Sequence, residues 1–121
     1  MGLSDYIRQR VRSFGYAFRG IYLLVRDTPH ARLHLLATLV VAGLGWYCAV
    51  STGEWALLLL AMGLVWAAEG FNSALETLAD RVSTEQHPLT GRAKDLAAGA
   101  VLLAAIFAAG VGLLVFLPHL L

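Results

Sequence analysis

The chain consists mainly of one amphipathic segment followed by three long apolar runs. In residues 5–26, apolar residues recur at steps of three and four between arginines, which predicts a basic amphipathic helix at a membrane surface. Asp27-Thr28-Pro29 should end this helix, because proline disfavours helical geometry in the residue before it. The apolar runs predict transmembrane helices over about 30–50, 55–82 and 92–117.

The charges between these runs predict how the helices cross the membrane. Residues 33–50 would extend about 27 Å as a helix, enough to cross the apolar part of a bilayer. Six of the nine Lys and Arg residues precede this run, and the other three lie at the end of the second predicted helix (Arg81) or at the start of the third (Arg92 and Lys94). Because basic residues collect on the inner side, the N-terminus should be cytoplasmic and the C-terminus outside.

Composition also predicts an integral membrane protein. The chain has 121 residues, of which 59% are hydrophobic and only 14% are charged, so it has too little polar surface for a soluble domain. We therefore expect residues 1–121 to form a single all-α integral membrane domain with no nucleic-acid partner. Because three thin helices bury little by themselves, the chain should oligomerise, although these patterns do not fix the number of subunits.

A face of carboxylates follows the second apolar run. On a helix, Glu69, Asn72, Glu76 and Asp80 fall within about 80° of one another, and we call these four residues the carboxylate face. Residues 55–68 contain no ionisable group, so the helix leads this face out of an apolar environment. Glu69 should lie near the inner membrane boundary, with Asp80 about 16 Å farther along. Carboxylates that continue a membrane helix predict a functional site.

These residue types suit phosphoryl transfer to a lipid alcohol. Carboxylates hold Mg²⁺, Lys94 can meet phosphate charge, and a carboxyl group at the membrane edge can accept a hydroxyl proton. The sequence contains no Walker loop, HExxH pair, serine nucleophile elbow or cysteine cluster. His34, near the inner end of the first apolar run, is expected to be an interfacial or hydrogen-bonded histidine rather than a ligand.

Two other functions compete with this interpretation. A small proton-coupled transporter could use Glu69 to bind a proton and a cation in turn, but it would need a carboxyl group near the middle of the membrane. Here the polar groups cluster at one edge. A non-catalytic membrane partner would consume no ATP.

The carboxylate face and the sequence after it resemble a known family. The matching stretches are Glu69-x-x-Asn72-x-Ala74-x-Glu76-x-x-x-Asp80, Glu85-x-His87 and Ala93-Lys94-Asp95-x-x-Ala98-x-Ala100-Val101. They are similar to the signature of the prokaryotic diacylglycerol kinase and undecaprenol kinase family, and weaker similarity covers residues 13–20 and 32–34. The resemblance implies an ATP-dependent lipid kinase of the bacterial inner membrane. It further implies a homotrimer with three transmembrane helices and one surface helix per subunit, and active sites shared between subunits.

The resemblance also implies roles for individual residues. Glu69 matches the general base and Glu76 a ligand of the Mg²⁺ that accompanies ATP, while Asn72 and Asp80 match supporting positions. The positions that match nucleotide contacts are Tyr16, Glu76, Glu85, Gln86, His87, Lys94 and Asp95.

One position departs from the family. The second metal-binding glutamate should fall four residues before Arg32, where this chain has Thr28. Asp27 is adjacent and is expected to substitute, or Thr28 contributes a hydroxyl or a water contact. The lipid itself stays open between diacylglycerol and undecaprenol, although Arg32-x-His34 and residues 97–101 are more similar to the undecaprenol kinase branch.

Overall fold

A computed structural model describes residues 1–82 and 85–121, and every regular element in these ranges is an α-helix. The chain forms two compact units, residues 1–32 and residues 33–121. The first contains α1 (Leu3–Asp27) and the start of α2 (Ala31–Tyr47). The second contains the rest of α2, α3 (Thr52–Val82) and α4 (Pro88–Leu120).

Helix α1 ends where the proline signal predicts. Thr28 follows it with φ −80° and ψ 130°, an extended conformation that the following Pro29 favours. No residue of α1 is buried. The helix begins at Leu3 and ends at Asp27, so it runs slightly beyond the predicted range of 5–26 at both ends.

The turn between α2 and α3 is built by local contacts. Ala49 has a φ of 51°, the left-handed conformation that reverses the chain after α2. The Ser51 hydroxyl accepts a hydrogen bond from the Glu54 N–H at 3.1 Å, and the Glu54 carboxylate accepts one from the Ser51 N–H at 3.0 Å. This reciprocal capping box starts α3 at Thr52, ahead of the predicted position 55.

Helices α3 and α4, with 31 and 33 residues, are each long and apolar enough to cross a membrane. Helix α2 is apolar but has only 17 residues, at the lower end of the usual length of a span. Helix α4 begins at Pro88 rather than near 92, because the His87 side chain accepts a hydrogen bond from the Leu89 N–H and proline suits a first turn. Ser83 and Thr84, which follow the predicted helix 55–82, lie outside the described residues.

The apolar core of the second unit lies at one end of α3 and α4. Its buried members are Val50, Leu58, Val115 and Phe116. Close packing at this end depends on Gly45, where a Cβ would lie 2.6 Å from Cη2 of Trp55. The carboxylate face is carried by the opposite end of α3. Large apolar side chains are exposed along all the helices, a surface that suits contact with lipid or with other subunits.

Candidate active site

Glu69 is the most deeply buried ionisable side chain of the carboxylate face. It is only 1% exposed, and its Oε2 lies 3.2 Å from Nε2 of His34 on α2. The histidine side chain is itself only 14% exposed. An uncompensated carboxylate is costly in an apolar environment, and this hydrogen-bonding partner lowers that cost.

A short chain of hydrogen bonds joins α2 and α3 at the level of His34. The Thr38 hydroxyl donates to the His34 carbonyl at 2.7 Å, and the Trp66 indole N–H donates to the Thr38 hydroxyl at 2.9 Å. The rings of His34 and Trp66 meet edge to face, with centroids 5.7 Å apart. Since Trp66 precedes Glu69 by one helical turn, α3 contacts His34 at two levels.

Asn72 lies one turn after Glu69 and is also buried, at 7% exposure. Its Oδ1 has no hydrogen-bond partner among the described residues. A buried acceptor without a donor costs about 1–3 kcal/mol, so such an atom commonly marks a place where a ligand or partner supplies the donor. Glu69 and Asn72 thus form the buried end of the carboxylate face.

The other end of the face is open and charged. Glu76 is half-buried, and the Asp80 side chain is 67% exposed. Lys94 Nζ on α4 lies 2.5 Å from Asp80 Oδ1 and is close enough to Glu76 for their charges to attract. Along α3, the face therefore passes from a buried hydrogen-bonding end to a hydrated end where cation and carboxylates meet.

The carboxylates fit a metal that arrives with a nucleotide. Among the described residues, no group of three or more His, Cys, Asp or Glu side chains could hold a metal ion alone. Mg²⁺ is usually held by one or two carboxylates together with substrate phosphates and water. A half-buried Glu76 beside a lysine matches that requirement, with phosphate oxygens as further ligands.

The remaining predicted residues of the second unit lie on or before α4. Glu85 and Gln86 are exposed, and His87, also exposed, uses Nδ1 to cap the helix. Lys94 contacts Asp80 on α3, whereas its neighbour Asp95 does not take part in this ion pair. It lines an open groove of about 770 Å³ along α4, with Arg92 at the same end and Leu103 farther along.

In the first unit, Tyr16 is exposed on α1. The Asp27 carboxylate is exposed and lies 3.5 Å from the Arg26 Nε, whereas Thr28 is buried. An exposed carboxylate at a helix end is accessible to a metal, and a buried threonine is less so.

The sequence interpretation missed the partner of Glu69. It expected His34 to be hydrogen-bonded but did not name the carboxylate. The spacing of His34 and Thr38 placed both residues on one face of α2, and that of Trp66 and Glu69 placed them on one face of α3. Nothing in one sequence shows that these two faces meet.

A comparison with known proteins identifies the family. The sequence profile described as prokaryotic diacylglycerol kinase matches residues 15–116. This chain belongs to the prokaryotic diacylglycerol kinase family. The predicted family resemblance is confirmed, and family membership together with α3 and α4 makes this an all-α membrane protein.

Some relatives of this protein are named undecaprenol kinase and others diacylglycerol kinase. An undecaprenol kinase of Bacillus subtilis (strain 168) is 37% identical over 109 residues, covering 90% of this chain and 89% of the relative. A diacylglycerol kinase of Escherichia coli (strain K12) is 33% identical over 98 residues, covering 81% of this chain and 80% of the relative. A diacylglycerol kinase of Synechocystis sp. is 38% identical over 110 residues, covering 90% of this chain and 63% of the relative.

Proposed function

We propose that this protein transfers the γ-phosphoryl group of ATP to the hydroxyl of a membrane lipid alcohol. The observation that carries the proposal is the gradient along the carboxylate face. Its buried end offers a carboxylate and an unpaired amide oxygen to a hydroxyl group that arrives from lipid. Its exposed end offers a lysine and further carboxylates to a metal and phosphates that arrive from water. The kinase names of the relatives support phosphoryl transfer to a lipid alcohol.

In the proposed reaction, Glu69 is the general base. Its carboxylate takes the hydroxyl proton as the lipid oxygen forms a bond to the γ-phosphorus, and the bond from that phosphorus to the bridging oxygen of ADP breaks. The products are the lipid phosphate and ADP, with the proton held on Glu69 until it passes to water. Asn72, next to Glu69, would orient the hydroxyl group. General-base assistance of this kind contributes about 10²- to 10⁴-fold in rate.

The nucleotide would bind at the exposed end of the face. Glu76 would hold Mg²⁺, which supplies neutralisation of phosphate charge when bound. Lys94 would exchange part of its attraction to Asp80 for the phosphates, so Asp80 keeps the lysine in place before ATP arrives. By family resemblance, we assign Tyr16, Glu85, Gln86, His87 and Asp95 to the remaining nucleotide contacts, and Asp27 or Thr28 to the metal.

The transporter alternative is not supported by the reported relatives, all of which are named kinases. A transporter that uses Glu69 would also have no role for the ion pair between Lys94 and Asp80, which lies farther along α3. The phosphoryl-transfer proposal uses both ends of the carboxylate face.

The direct test is transfer of labelled phosphate from ATP to lipid alcohols by purified protein in lipid bilayers. The panel contains diacylglycerol, undecaprenol and a saturated long-chain alcohol, each with and without Mg²⁺. We expect at least one of the first two to gain phosphate in a Mg²⁺-dependent reaction. The preferred substrate of this chain is the one with the higher kcat/KM. If no lipid gains label while ATP and Mg²⁺ are saturating, the proposed function is wrong.

We also propose that α2, α3 and α4 all cross the bacterial inner membrane, with the N-terminus inside and the C-terminus outside, and that three subunits assemble. The arginines of α1 and the inner residues Arg81, Arg92 and Lys94 support this orientation, and the family resemblance supports the trimer. A periplasmic reporter fused after Leu121 should be active, and native mass spectrometry in detergent should give three times the subunit mass of 13.0 kDa. A reporter active only in the cytoplasm, or a monomer mass, would contradict this arrangement.

A further inference from the structure

We propose that His34 is a positioning residue for the reaction: its Nε2 holds Oε2 of Glu69 so that Oε1 faces the lipid hydroxyl. The inference rests on the proposed function, in which Glu69 is the base. It assigns to a histidine of α2 a task that the sequence alone did not indicate.

The first support is the chemistry of the contact. With Glu69 ionised, a carboxylate only accepts hydrogen bonds, so the Nε2–H of His34 must donate across the 3.2 Å separation. That bond engages one oxygen and restricts the rotation of the carboxyl group. The hydroxyl proton then goes to Oε1 as the lipid oxygen bonds to the γ-phosphorus, while the His34 proton stays on Nε2.

The second support is that the His34 ring has a neighbour on α3. The Trp66 ring meets the imidazole edge to face and restrains its orientation, and the Trp66 indole is itself hydrogen-bonded through the Thr38 hydroxyl to the backbone carbonyl of His34. A reactive group is aimed well only when its partner is rigid. Because Trp66 and Glu69 lie one turn apart on α3, the same helix that carries the base also fixes the orientation of the histidine.

A second histidine–carboxylate pair in the chain provides a contrast. His119 Nε2 lies 3.0 Å from Glu54 Oε2, but these side chains are 30% and 28% exposed, and they link the C-terminal end of α4 to the N-terminal end of α3. The Glu54 carboxylate is occupied by the capping box with Ser51. This pair has the same chemistry and a structural task, so it is the matched control for His34 and Glu69.

The test is a double-mutant cycle in lipid bilayers, with the lipid substrate identified by the panel. His34→Ala should lower kcat by about 10- to 100-fold, the usual loss when the partner of a functional group is removed, with the KM for MgATP nearly unchanged. His34→Gln retains an N–H donor and should recover most of that loss. His119→Ala should leave kcat within about threefold of the parent enzyme.

The decisive comparison uses Glu69→Gln as the background. If His34 acts through Glu69, adding His34→Ala to Glu69→Gln should lower the residual rate by less than about threefold, because the two losses are not additive. Equal losses in both backgrounds would show a general structural role and overturn the proposal, as would a His34→Ala enzyme that keeps the parent kcat. The comparison divides the effect of His34→Ala in the parent by its effect in Glu69→Gln, so any loss of folded protein that it causes equally in both cancels. A parent enzyme that phosphorylates no lipid would refute the proposed function, whereas an active parent with an additive cycle refutes only the role of His34.

Discussion

Glu69→Gln should lower kcat for lipid phosphorylation by about 10²- to 10⁴-fold, the contribution expected of a general base. The amide has nearly the same shape as the carboxyl group, and its oxygen can still accept the hydrogen bond from His34 at the same position. Only the ability to take a proton is lost. The KM for MgATP should change little, because Glu69 lies at the buried end of the carboxylate face, away from the proposed phosphate contacts.

The measurement is initial rate against lipid and MgATP concentration for purified protein in bilayers. Glu54→Gln is the matched control, since it makes the same change on the same helix in a carboxylate that also pairs with a histidine. The control should retain nearly the parent rate. A Glu69→Gln enzyme that turns over within about threefold of the parent would remove Glu69 from the role of base.

Local signals in the sequence predicted much of the helical structure. The break at Asp27-Thr28-Pro29 follows from the geometry of one proline, and each of the three apolar runs overlaps one of the later helices. Helical periodicity also placed the four residues of the carboxylate face together. The structure adds a difference in burial along that face, from Glu69 to Asp80.

The predicted starts of α3 and α4 are wrong by a few residues, because apolar runs alone do not include the capping residues that begin a helix. Ser51-x-x-Glu54 has the spacing of a capping box, which starts α3 three residues before the apolar run at Trp55. His87-Pro88 combines a side-chain cap with a proline that suits the first turn, which starts α4 four residues before the predicted position 92. Both signals are local and were present in the sequence.

The contacts between helices were not predictable in the same way. His34 and Glu69 are 35 positions apart, and Asp80 and Lys94 are 14 apart. Such pairs depend on how helices pack, and many packings satisfy the same apolar periodicity. The depth of a residue along a helix can be estimated from one sequence, but the residue facing it across the interface cannot.

The exposed end of the carboxylate face, where Glu76 would hold Mg²⁺, gives a prediction whose kinetic signature differs from that of Glu69→Gln. Glu76→Gln should raise the Mg²⁺ concentration needed for half-maximal rate and lower kcat by about 10²- to 10³-fold, as expected when a group that stabilises transferring charge is removed. Glu69→Gln should lower the rate without moving the Mg²⁺ requirement, so each variant is the control for the other. The measurement is activity titrated against Mg²⁺ at fixed ATP. An unchanged Mg²⁺ requirement in Glu76→Gln would exclude Glu76 as a ligand.

The same titration decides whether Asp27 takes the place of the family's second metal-binding glutamate. Asp27 is exposed at the end of α1, and its neighbouring Arg26 holds it only through a 3.5 Å contact, so its carboxylate is available to a cation. Asp27→Asn should therefore require more Mg²⁺, and adding Thr28→Glu to it should partly restore the parent requirement by returning a carboxylate to the family position. Thr28→Ala should leave the requirement unchanged if the threonine serves only the fold around its buried side chain. Thermal stability is measured on each variant, because a glutamate at the buried Thr28 position also tests packing. An Asp27→Asn enzyme with the parent Mg²⁺ requirement would leave Glu76 as the one carboxylate of this proposal on the metal, with phosphate and water completing its coordination.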